Sequence, residues 1–260
     1  MTLEQFGMTG AVPFSGGSKE AFILWGVKSA KDHRLIELAQ HVGFDFEDAG
    51  PPGIEPPFWR KGMFRVFVSH LSAHKALAGD LQTELLPYGI SAFVAHSDIA
   101  PTTEWILQIE TALATCEALV AVMHDGFHES SWTDQEIGFA MGRSVPIFAV
   151  HYGKAPYGFI GRFQAFGGKG KSAAILATEL FNAFRKHPQT QKRVDQILVG
   201  LFEGSFSFAS ARTRIGYLEE LEAWDTSFNA RLQSAAENDS QVGAAFGVPE
   251  RVAALIKKHS

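Results

Sequence analysis

The chain has 260 residues, 46% of them hydrophobic and 20% charged, which excludes disordered, collagen-like and disulfide-scaffold classes and supplies enough apolar surface for a sizeable core. With 23 basic against 28 acidic residues the net charge is -5, so the cationic excess of a nucleic-acid or anionic-membrane binder is missing and neither partner is expected. The one cysteine, Cys116, permits no internal disulfide and no Cys-rich zinc site, which fits a reducing, cytoplasmic setting.

The opening MTLEQFGMTGAVPFSGG has no basic stretch ahead of an apolar run, and no window reaches the 18 or so apolar residues of a membrane span, so neither export nor anchoring is expected. Two Pro/Gly clusters, VPFSGG at 12–17 and AGPPGIEPP at 49–57, discourage helix by fixing φ and removing donors. Between them Leu35, Ile36, Leu38, Ala39 and Val42 recur at helical spacing, with Gly43 as a stop. Residues 1–62 thus read as an N-terminal extension.

From Met63 the pattern changes to short apolar runs separated by amphipathic segments. The runs are FRVFVS (64–69), ISAFVA (90–95), ALVAVM (118–123) and VPIFAV (145–150), the last two nearly continuous as buried parallel strands are. Helices are predicted over 74–86, 103–115 and 132–142, with Thr102 and Ser131 as N-caps. The resulting βαβαβαβ order, with right-handed crossovers, collects the loops after the strands at the carboxyl edge, where open α/β sheets bind ligands. This α/β domain spans 63–172. Beyond it, 172–187, 190–202, 216–236 and 249–258 read as amphipathic helices, so 173–260 is a C-terminal helical region. In the last of these, an early proline and glutamate and late lysines complement the helix dipole.

Chemistry-bearing residues gather after the strands. Ser69 and His70 stand at the end of the first run, either as cap residues or as a hydroxyl and an imidazole facing a ligand; adjacent side chains diverge, so they are no nucleophile-base pair. Trp105 falls in the first turn of its helix, where it either stacks on a planar ligand or docks on the core. Asp98 is a loop acid. Most informative is SSWTDQEIGFAMG: Trp132, Glu136, Phe139 and Ala140 share one helix side, so Glu136 sits on a largely apolar face turned toward the sheet. A carboxylate there shifts its pKa upward unless paired, so it needs a partner, with Arg143 the candidate, or a chemical role. The scattered histidines have no HxxxH or HExxH spacing, and GGKGKS at 167–172 fails the GxxxxGK[ST] count, so no metal or phosphate-loop site is expected.

Four segments, FRVFVSH, YGISAFVAHSDIAPTTEW, CEALVAVM and SSWTDQEIGFAMGRSVPIFAV, together resemble a bacterial TIR (Toll/interleukin-1 receptor) domain over residues 63–170. The resemblance implies a flavodoxin-like parallel sheet flanked by helices, with Asp98 and Ile99 in the BB loop. It further implies that Glu136, in SxWxxxE, is the catalytic acid of NAD-cleaving members and that Ser69, His70, Leu71, Asp98, Ile99, Trp105 and Trp132 contact the dinucleotide, NAD+ being a substrate and not a cofactor. Some NAD-cleaving relatives carry arginine where this chain has Leu71 and Ser72, which implies different pyrophosphate contacts. The activity so implied is NAD+ hydrolysis or cyclisation to ADP-ribose or a cyclic ADP-ribose isomer. Self-association through the TIR domain, and a downstream effector that senses the product in a Thoeris-type antiphage system, follow by the same analogy. Two other readings stay open: a catalytically silent TIR adaptor, which needs no acid at 136, and a nucleoside deoxyribosyltransferase-like enzyme, which shares sheet and acid but uses free nucleosides.

Overall fold

The computed structural model describes residues 56–95 and 103–259. Five strands, β1 (Phe64–Ser69), β2 (Ile90–Val94), β3 (Ala118–Met123), β4 (Ile147–His151) and β5 (Phe166–Gly167), form one sheet in the order β2-β1-β3-β4-β5. Every pairing is parallel. This is the doubly wound order in which the chain reverses direction across the sheet beside β1, opening a crevice at the carboxyl ends of β1 and β3. The four expected strands are present; β4 starts two residues later than expected and ends one later, because the strand begins only after Pro146, which has no N–H to give the ladder. β5, two residues long, carries no readable apolar pattern.

The connecting helices are α1 (Lys75–Leu85), α2 (Thr103–Thr115) and α3 (Ser131–Gly142). After β5 come α4 (Ala173–Lys186), α5 (Gln191–Glu203), α6 (Phe208–Glu219), α7 (Ser227–Asn238), the single turn α8 (Ser240–Gly243) and α9 (Val248–Lys258). One helix expected over 216–236 is in fact two. The break at 220–226 is fixed by Asp225, whose side chain accepts the Ser227 N–H and starts α7 as a polar turn residue does.

The period of two along each strand sorts the core into two faces. Phe64, Val66, Val68, Val120, Val122 and Phe148 pack with Leu180 and Phe184 of α4, and the same cluster continues outward through Val194, Ile215, Leu232 and Val252. On the other face Phe67, Leu119, Ala121 and Ile147 meet Ile109 and Leu113 of α2 and Ile137 and Ala140 of α3. Trp59 closes this second core and donates from Nε1 to Thr115 Oγ1 at 2.8 Å. The turn into β2 depends on Gly89, at φ 73°, where a Cβ would come within 2.7 Å of Ile197 and 2.8 Å of Leu201. Residues 56–259 thus form one compact unit in which α4 to α9 share a core with the sheet.

Candidate active site

The crevice at the carboxyl edge is built from the ends of β1 and β3 and from α3. The start of α3 is fixed twice. Ser130, and not the expected Ser131, is the N-cap, its side chain accepting the Thr133 N–H. Thr133 Oγ1 in turn donates to Phe127 O at 2.5 Å, which ties the helix to the turn after β3. One turn further, Glu136 points inward and is 7% exposed. Its neighbour across 67 residues of sequence is Ser69, fully buried, whose Oγ donates to Glu136 Oε2 at 2.5 Å.

Burial pushes the Glu136 carboxyl up to about 8, and the Ser69 hydroxyl pulls in the opposite direction. Among the described residues no cation pairs with it. Arg143, the candidate partner, instead donates to the backbone carbonyls of Leu113 and Cys116 and so closes the C-terminal end of α2. The partner of Glu136 is thus the Ser69 hydroxyl and not a cation.

Trp132 departs from the expected inward face: it is 41% exposed, and its ring meets that of Trp105 edge-on at 5.5 Å between centroids. Position 132 lies in the first turn of α3, and its ring packs on Trp105 and not in the core. Trp105 is half-buried against the α2–α3 core. His70 is half-buried with Nδ1 2.9 Å from Val68 O, and Leu71 packs on the same core as Phe127. Ser69, His70, Leu71, Trp105, Trp132 and Glu136 therefore all lie in or beside the segments that end β1 and begin α2 and α3. Asp98 and Ile99 lie outside the described residues.

A further contact was not readable in the sequence. Asp134, between Trp132 and Glu136, accepts a hydrogen bond from Tyr157 in the segment after β4. That pairing spans 23 residues with no spacing rule to reveal it. His74, His124 and Tyr152 stack in succession at the carboxyl edge. Among the described residues no group of three or more His, Cys, Asp or Glu is placed to hold a metal ion, and no helix is long and apolar enough to cross a membrane.

A buried carboxyl with a hydroxyl donor and no counter-cation among the described residues is, when ionised, equipped to stabilise positive charge that develops beside it. Comparison with known proteins identifies the family. The family model described as TIR domain matches residues 66–198, half of the chain. Among solved structures the chain is similar to the TIR domain of the Toll-related receptor TRR-2 from Hydra magnipapillata, at 18% identity and a TM-score of 0.39, covering 48% of this chain and 100% of that one. No curated protein matches it.

Proposed function

The chain belongs to the TIR domain family, and from that premise we propose that it is an NAD+ nucleosidase or cyclase whose catalytic carboxylate is Glu136. The observation that carries this reading is the Glu136 side chain itself, buried, free of a counter-cation among the described residues and held by Ser69. A catalytically silent adaptor gains nothing from such a group, which costs several kcal/mol to ionise in place.

The chemistry follows from the charges. The bond between ribose C1′ and the nicotinamide nitrogen breaks with its electron pair going to the ring, which leaves as neutral nicotinamide. Positive charge then spreads over C1′ and the ring oxygen of ribose, as in glycoside hydrolysis, and an ionised Glu136 stabilises it. The substrate's own cationic pyridinium favours the ionised carboxylate on binding. Ser69 orients the carboxylate through its hydroxyl. Attack by water gives ADP-ribose; attack by the adenine of the same molecule gives a cyclic isomer, and the exclusion of water decides between them. Either product would act in the cytoplasm as an immune signal sensed by a separate effector, in the manner of a Thoeris-type antiphage system.

The test is nicotinamide release from NAD+ by the purified chain, followed by chromatography; free nucleosides in place of NAD+ separate the deoxyribosyltransferase reading. Trp105→Ala is expected to weaken dinucleotide use by about 1 to 3 kcal/mol through lost stacking. Unaltered KM and kcat would assign Trp105 to the core alone. Specific activity is expected to rise with protein concentration, because a site completed by a second copy follows the mass-action population of the assembly. A monomer by light scattering that turns over NAD+ at a concentration-independent rate would remove the shared-site element.

A further inference from the structure

We propose that a second small-molecule site, for a phosphate-bearing ligand of mononucleotide size, lies at the amino edge of the sheet. A cavity of about 490 Å³ opens there between the segment that enters β1 and helices α5 and α7, a volume within the usual range for ligand sites. It lies on the opposite edge from Glu136: Lys61 and Met63 lead into β1, whereas Ser69 ends it, so the length of that strand, roughly 20 Å, separates the two. The proposal is independent of NAD+ cleavage.

The sequence builds the wall in a simple way. Arg193, Ile197 and Gly200 recur at helical spacing on one face of α5, and Phe228 and Arg231 occupy the first turns of α7. Lys61, Arg193 and Arg231 thus converge on one cavity. In a chain of net charge -5 no acidic side chain lines it.

The cations keep donors to spare. Arg193 spends only Nε, on Glu117 Oε1 at 3.0 Å, and Glu117 is shared with Arg65. Arg231 gives Nε and Nη2 to the two oxygens of Glu203. Lys61 has no counter-ion among the described residues. The Nη groups of Arg193, Nη1 of Arg231 and the Lys61 ammonium therefore remain for an anion, and guanidinium groups match phosphate oxygens in pairs. The apolar side chains of Met63, Ile197 and Phe228 supply a surface for the uncharged body of the ligand, which makes a phosphomonoester with an organic body a better fit than a bare ion.

Met63 provides the reporter. In the full chain carrying ¹³C-methyl methionine, AMP is expected to move the Met63 methyl resonance in a saturable way below about 5 mM, while Met123 and Met141 stay in place; raised salt weakens the effect. Adenosine, lacking the phosphate, is expected to leave Met63 unmoved. Lys61→Gln combined with Arg193→Gln is expected to raise the dissociation constant at least about tenfold. Arg65 continues to pair with Glu117 in that variant, and its melting curve checks the fold; the single Lys61→Gln, at an exposed side chain with no counter-ion among the described residues, gives the same test with a smaller loss. A Met63 resonance that AMP does not move, that adenosine moves equally, or whose shift is unchanged in the charge variants would overturn the site.

Discussion

Glu136→Gln is expected to take nicotinamide release from NAD+ below detection, a loss of at least roughly 10²- to 10³-fold in kcat, while the protein remains folded. Glutamine keeps the shape of the side chain and can still accept from Ser69, so the substitution removes charge and little else. Stability is expected to move in the opposite direction from activity. The folded carboxyl titrates near 8 and its unperturbed value is 4.5. Between these values the folded chain holds a proton that the unfolded chain has released, so wild-type stability falls as pH rises through this window and the loss is complete above about pH 8. The neutral variant does not suffer it. Its melting temperature is therefore expected to match wild type below about pH 4.5 and to exceed it by several degrees or more above about pH 8, the equivalent of up to about 5 kcal/mol. Unchanged turnover in a folded variant would end the catalytic assignment; a pH-independent difference in melting temperature would mean that the carboxyl is hydrated.

Phe184→Ala is expected to destabilise the protein by about 3 to 5 kcal/mol, a large share of the roughly 5 to 15 kcal/mol that holds a domain together. The ring is fully buried and lies against Phe64 of β1 at 5.3 Å and Phe148 of β4 at 4.7 Å. Its removal leaves a cavity where α4 meets the sheet, and scanning calorimetry is expected to show a fall in melting temperature of about 10 °C or more. A shift of only a degree or two would separate α4 to α9 from the core that supports the site. The same packing explains why a chain cut near residue 172 should lose solubility: the face carrying Val66, Val68 and Val120 would be left uncovered.

Local pattern made much of this legible, and the limits are instructive. The runs at 64–69 and 118–123 are strands to the residue, because buried parallel strands need continuous apolar sequence. Glu136 could be placed facing inward from spacing alone, since Ile137 and Ala140 share the buried side of its helix. The same spacing misplaced Trp132, because periodicity says nothing of where the core ends. It also offered Arg143 as a partner for Glu136, whereas the guanidinium is taken by carbonyls of a helix end 27 to 30 residues earlier. The Ser69 hydroxyl reaches Glu136 only through the parallel order that sets β1 beside β3. No local rule pairs residues so far apart, and the TIR resemblance placed both without joining them.

The pH dependence of kcat/KM for nicotinamide release decides whether Glu136 acts as a carboxylate, because it reports the ionisation of the free protein's essential groups. With Glu136 required as a carboxylate, kcat/KM is expected to rise about tenfold per pH unit up to about pH 8 and then level. Ser69→Ala removes the hydrogen bond that lowers the carboxyl's pKa, so its inflection is expected at higher pH, and Glu136→Gln is expected to show no such limb. A wild-type profile flat between about pH 6 and 9, or an inflection that Ser69→Ala leaves in place, would contradict the account.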